Sequence, residues 1–134
     1  KALIGVSEAI NFVKSKNLKV ALASSSSYKI INAALQKLKI ADDFEIIYSA
    51  ESETLGKPHP GVYLTTAEKL GISPQNCLAL EDSLNGVLAA KAAQMKCIAI
   101  PEMSEYHNPK FAIADMVLES LQQLDDNIWD FINP

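Results

Sequence analysis

The sequence contains no arginine; all 12 basic residues are lysine. The forked guanidinium that grips base edges and phosphates in a bidentate way is therefore missing. With 16 acidic residues against those 12 the net charge is −4, which argues against a nucleic-acid partner. Cysteine is scarce. Cys77 and Cys97 each lead into an apolar run, with no metal-type spacing and no histidine cluster around them. They read as two free, unreactive thiols of a cytoplasmic protein, with a disulfide as the lesser alternative. No apolar run approaches the ~20 residues of a membrane span, so no membrane partner is expected. No signal peptide is visible. The first residue is Lys1 rather than Met, so the expectation is a processed chain or a piece of a longer one.

What is present is enough for one domain. Hydrophobic residues make up 49% of 134, leaving room for a core. No internal repeat, low-complexity tract or linker interrupts the chain. Val6, Ala9, Ile10 and Val13 recur at helical spacing and predict a helix over 6–16. LKVALAS (18–24) reads as a buried strand. Ser26 or Ser27 can cap the next helix, whose apolar side is Ile31, Ala34, Leu35 and Leu38. FEIIYSA (44–50) is a second strand, followed by a polar loop over 51–59. Pro60 suits a first helical turn, Tyr63, Ala67 and Leu70 mark the buried side, and Gly71 ends that helix. CLALED (77–82), a helix at 85–94, CIAIP (97–101) and a short MVLES (116–120) continue the alternation. Leu121, Leu124, Ile128 and Phe131 fall on one face of a last helix. Strands alternating with helices from end to end predict an α/β, Rossmann-like parallel sheet with helices on both faces.

Ligands of such sheets bind beyond the carboxyl ends of the strands. That directs attention to four places: Ser24–Ser27, Ser49–Lys57, Glu81–Asp82 and the loop after Pro101. In LALEDSLNG (78–86) an apolar strand ends on two adjacent carboxylates, Glu81 and Asp82. Like charges so placed repel, and a divalent cation between them relieves the repulsion. The competing reading is a helix cap by Asp82 or Ser83 with Glu81 solvated. In ASSSSYK (23–29) small hydroxyl residues run into a helix N-terminus, where backbone N–H groups and the helix dipole favour an anion. An ordinary serine cap explains the same residues. In GKPHP (56–60) Lys57 is held between Gly and Pro, placed to neutralise a phosphate or to pair with Glu81 or Asp82. A solvated loop lysine is the plain alternative. His59, between two prolines, reads as a packing or hydrogen-bonding residue, and His107 carries no evident role. Each signal is weak alone. Taken in order at successive strand ends, a hydroxyl turn, a lysine and paired acids make a phosphate-plus-Mg2+ site.

ALASSS, GKPHPGVY and ALEDSLNGVLAAKAA, in that order, resemble the haloacid dehalogenase superfamily of phosphohydrolases. More narrowly they are similar to its β-phosphoglucomutase-like branch of sugar-phosphate phosphatases. NPKFAIADMVLESLQQL resembles the tail of the hexitol or 2-deoxyglucose-6-phosphate phosphatases of that branch. The resemblance runs from about Gly5 to Leu124. It implies that the Ser24 hydroxyl and the Ser25 N–H bind the transferring phosphoryl group and that Lys57 stabilises its charge. Glu81 and Asp82 would bind Mg2+, Asp82 most directly, with Ser83 behind them and Ser26 and Ser27 as lesser substrate contacts. The family's nucleophile is the first Asp of an Asp-x-Asp motif, and nothing here matches it. Asp42–Asp43 and Asp125–Asp126 are contiguous and misplaced. Gln94 stands where the family often has glycine, which implies a different helix end.

The resemblance therefore implies that residues 1–134 are a partial core domain, lacking the N-terminal central strand and the helical cap. The sheet is then expected to gap or re-pair, and a missing N-terminal segment or a strand exchanged with another chain would complete it. The complete protein is expected to be an Mg2+-dependent phosphatase acting on a small phosphorylated metabolite, a sugar phosphate, through an aspartyl-phosphate. The chain alone is expected to be inactive. The alternatives are a β-phosphoglucomutase-type phosphomutase and a non-catalytic phosphate-binding domain.

Overall fold

The computed structural model describes residues 5–134. Helix α1 (Val6–Ser15) buries Ala9 and Ile10. Strand β1 (Ala21–Ser24) leads into α2 (Tyr28–Leu38), whose first turn is capped by the Ser27 hydroxyl accepting from the Ile30 N–H. Strand β2 (Ile46–Ser49) is followed by a polar loop and α3 (Gly61–Leu70), which Gly71 ends in the left-handed conformation at φ 73°. Strand β3 (Leu78–Glu81), α4 (Leu84–Ala92), β4 (Lys96–Ala99) and the short β5 (Met116–Val117) come next, and α5 (Asp126–Ile132) closes the chain.

All described strand pairs are parallel, as the helical crossovers require. They form two sheets, β1–β2 and β3–β4–β5, with a gap between them. In register Ser24 faces Ser49 and Glu81 faces Ala99, so each sheet presents its polar residues at its carboxyl end. The two sheets share their helical layers. On one face α3 packs on β1 and β2 while α4 packs on β3 and β4, and a single apolar cluster runs from Tyr48 through Val62, Ala67 and Val87 to Cys97. On the other face α1 belongs to two clusters. Ala9 joins Ile98, Leu121 and Ile132, and Ile10 joins Ile31, Leu35 and Ile40. Helices on both faces thus tie the halves together where, among the described residues, no strand ladder does.

Three expectations need correction. Ala34 and Leu38 are exposed; α2 turns only Ile31 and Leu35 inward, because a single narrow stripe meets Leu22, Phe44 and Ile47. The last helical face is broken. Residues Leu121–Gln123 form a 3-10 turn capped by Ser120, and Asp125 starts a new helix by accepting from the Ile128 N–H. The restart turns Ile132 inward and leaves Phe131 72% exposed. Gln94 does not change the helix end: it takes the glycine-type left-handed conformation itself, at φ 69°, and its side chain accepts from Gln75 Nε2 at 2.9 Å. The strands are also shorter than their apolar runs; β1 begins at Ala21, and Leu18 is 39% exposed.

Candidate active site

The two adjacent acids stand at the end of β3: Glu81, its last residue, is 6% exposed, whereas Asp82, in the turn just beyond the strand, is exposed. The Glu81 carboxylate is neutralised by Lys57, whose Nζ lies 2.5 Å from Oε2. The Tyr63 hydroxyl donates to the same Oε2. Lys57 Nζ also approaches the Ala23 carbonyl of β1 at 3.4 Å and stands 5.0 Å from the centre of the Tyr63 ring. The ammonium thus bridges the gap, with β1 on one side and β3 on the other. Burial, reinforced by the charge and hydrogen bond of Glu81, pushes the Tyr63 phenol well above its ordinary range. It remains a proton donor.

Gly86 explains how α4 comes so close. A Cβ built there would lie 1.8 Å from Glu81 Oε1, so only glycine leaves room for the carboxylate. The Ser83 hydroxyl caps α4 by accepting from the Gly86 N–H at 3.0 Å. It thereby fixes the turn on which Asp82 projects.

The end of β1 is a hydroxyl turn. Ser24 Oγ accepts from the Ser26 N–H at 3.1 Å, which leaves the hydroxyl hydrogen as a donor. Ser25 is exposed, and Ser27 is the cap of α2. Ser49, fully buried at the end of β2, donates to the Ser26 carbonyl at 2.5 Å and accepts from the Glu51 N–H at 3.0 Å. The loop bearing Lys57 is pinned in turn by Glu53, which accepts from Tyr48 and, at 2.8 Å, from Thr65. The Tyr48 bond and then Thr65 hold the Glu53 carboxyl below its usual range. His59 Nδ1 accepts from the Gly61 N–H at 3.0 Å, the local role expected of it.

Asp82 and Ser83 line a cavity of about 440 Å3 together with Glu102, Asn108, Lys110 and Phe111. Among the described residues no three His, Cys, Asp or Glu side chains are grouped to hold a metal ion. Asp82 is one suitable ligand. Mg2+ accepts one or two carboxylates and completes its shell with water and phosphate oxygens, so the residues present fit as part of such a site. Asp43 and Asp126 serve elsewhere, pairing with Lys14 at 2.7 Å and Lys16 at 2.6 Å.

Tyr63 and Gly86 are not marked as site residues by the sequence: a tyrosine on the buried side of a helix seeks some polar partner and a glycine inside a helix marks some close approach, but neither signal says which. Ser49 opens one of the strand-end places the sequence does mark.

The class of protein this defines is an α/β domain with hydroxyl, lysine and carboxylate groups gathered at its strand ends. Residues 1–94 match the profile of the haloacid dehalogenase-like hydrolases, and the chain belongs to that family. It is 43% identical over 122 residues to hexitol phosphatase B of Escherichia coli K12, covering 91% of this chain and 55% of that protein. It is 32% identical to the β-phosphoglucomutase of Bacillus subtilis, covering 90% of this chain and 54% of that one. The crystal structure of CbbY from Rhodobacter sphaeroides in complex with phosphate superposes with a TM-score of 0.83 at 30% identity, over 91% of this chain and 55% of that one. The chain therefore spans about half the length of the relatives it matches. Among the described residues no helix is long and apolar enough to cross a membrane.

Proposed function

We propose that this chain is the phosphate-handling part of an Mg2+-dependent sugar-phosphate phosphatase. The observation that carries the reading is the Lys57 ammonium, held between the carboxyl ends of β1 and β3 by Glu81 and the Ala23 carbonyl. A fixed cation beside a turn of hydroxyl and N–H donors is what a phosphoryl group needs. Ser24 donates its hydroxyl, Ser25 its N–H, and Lys57 its charge. Asp82 would hold Mg2+, with Ser83 fixing the turn behind it; bound there, the metal would supply positive charge for the phosphoryl group. Glu81 acts on this site through Lys57.

The residues of this chain bind and orient; among the described residues none is placed to accept the phosphoryl group. The acceptor is an aspartate on a further strand that enters between β1 and β3 and pairs with both edges, forming an aspartyl-phosphate that water hydrolyses. That strand comes from a preceding segment of the same protein or from another chain. A small phosphorylated metabolite is the substrate. Burial pushes the Cys97 thiol up to about 12 and raises that of Cys77 as well, which disfavours the reactive thiolate at both. A phosphomutase of the same branch would use the same residues, and the likeness to the Bacillus subtilis enzyme favours it as the second reading.

The test is a titration of inorganic phosphate, with and without Mg2+, into the 15N-labelled chain. The expected result is phosphate-dependent movement of the Ser24–Ser27 amides and Mg2+-dependent movement of Asp82 and Ser83, with no turnover of p-nitrophenyl phosphate. Phosphate that leaves 24–27 unmoved, or robust turnover by this chain alone, overturns the reading. In the complete protein, loss of phosphate from a hexose phosphate marks a phosphatase and isomerisation a mutase.

A further inference from the structure

We propose that Tyr63 is a positioning residue for the phosphate-binding lysine: its hydroxyl holds the Glu81 carboxylate in the orientation that fixes the Lys57 ammonium. The inference deepens the phosphatase reading and rests on it for what Lys57 binds.

Lysine is a point charge on a flexible four-carbon stem, and Lys57 sits in a loop. Something rigid must hold it. Glu81 does so at 2.5 Å, but a glutamate has rotatable bonds of its own. The carboxylate is locked from two sides. Behind it, Oε1 fills the space that glycine leaves at position 86. In front, Oε2 accepts from Tyr63 as well as from Lys57. Tyr63 is 7% exposed, on a helix packed against β1 and β2, whereas Glu81 belongs to the other sheet. The phenol therefore transmits the position of one half of the molecule to the acid of the other. Its ring, 5.0 Å from Nζ, limits where the ammonium can move. Nothing in GKPHPGVY distinguishes this role from plain core packing.

Tyr63→Phe separates the two. It keeps the ring, the packing and the cation–ring contact, and removes one donor. The measurement is the exchange-protected ammonium resonance of Lys57 in 15N-lysine-labelled chain, wild type against Tyr63→Phe, first without and then with inorganic phosphate. A hydrogen bond to a charged group corresponds to roughly tenfold or more in an equilibrium. Ammonium exchange is expected to quicken by that factor, and phosphate affinity to fall, while the amide spectrum stays folded. An ammonium signal equally protected in Tyr63→Phe overturns the proposal. Phosphate that fails to move Lys57 in the wild type sinks the phosphatase reading instead, and the phosphate-free comparison still decides the role of Tyr63. Should Tyr63→Phe not fold, the wild type decides. A slowly exchanging Tyr63 hydroxyl proton in contact with the Lys57 side chain is expected, and its absence overturns the proposal.

Discussion

The two sheets of this molecule are not equally well made. In β3–β4–β5 the central strand β4 has a neighbour on each side, α4 over one face and the cluster of α1 and α5 over the other, and Cys97, Ile98 and Ala99 are fully buried. In β1–β2 every residue of β1 is only half-buried, because among the described residues it has a strand on one side alone. Leu80, on the gap-side edge of the better half, is 36% exposed. Apolar packing is thinnest along the gap. Yet the most buried ion pair lies there, with Lys57 and Glu81 side chains 10% and 6% exposed. An apolar gap could be closed by hydrophobic contact alone. This one is bridged by a charge pair, which is costly to bury.

The comparison predicts unequal costs of truncation. Ile98→Ala, in the fully covered strand, is expected to lose about 2–5 kcal/mol, whereas Leu22→Ala, in half-buried β1, should lose about half that or less. Chemical denaturation of both variants checks it, and equal losses would erase the distinction between the halves. Gly86→Ala probes the gap itself. The added methyl would collide with Glu81 and cost about 1–3 kcal/mol of overpacking, set against about 1 kcal/mol gained from helix propensity. A net loss of stability is expected, together with release of the Lys57 ammonium; a variant more stable than wild type would show that Glu81 is free to move away.

The smallest effect belongs to the outer edge of the better half. There Lys91 pairs with Asp115 at 2.8 Å, and the Cys97 N–H donates to the same carboxylate. Partial burial tends to raise this carboxyl, but the Lys91 hydrogen bond, the Cys97 N–H and the charges of Lys91 and Lys96 hold it below its usual range. A group lowered in the folded state stabilises fully above its unfolded pKa, about 4, and the contribution fades as pH falls through the lowered value. Asp115→Asn should therefore cost less than about 1 kcal/mol at neutral pH, since both partners are about one-third exposed, and nothing at low pH. Urea midpoints on either side of pH 4 measure the difference.

Much of this was legible beforehand. The alternation of strands and helices needed only the periods of the apolar residues, and those periods are local. Gly71 was visible as a helix end, and Ser27 and Ser83 each as one of two candidate caps, because capping is settled within a few residues. The strand ends named Ser24, Lys57, Glu81 and Asp82 as the residues to watch. What stayed hidden was direction and company. Two adjacent acids look like a pair, but the strand ends between them, and only the structure shows which one faces Lys57. The continuous face from Leu121 to Phe131 ignored that Asp125 is a better cap than a helix interior residue.

By itself, then, the sequence determined the α/β alternation, the family and the order of the site residues along the chain, since each depends on spacing and on short-range chemistry. Tertiary structure alone decided that the described strands leave a gap rather than re-pair, that Glu81 meets Lys57 while Asp82 is exposed, and that Tyr63 and Gly86 join them. These are contacts between residues far apart in the chain, brought within hydrogen-bonding reach only when α3 and α4 pack across the gap.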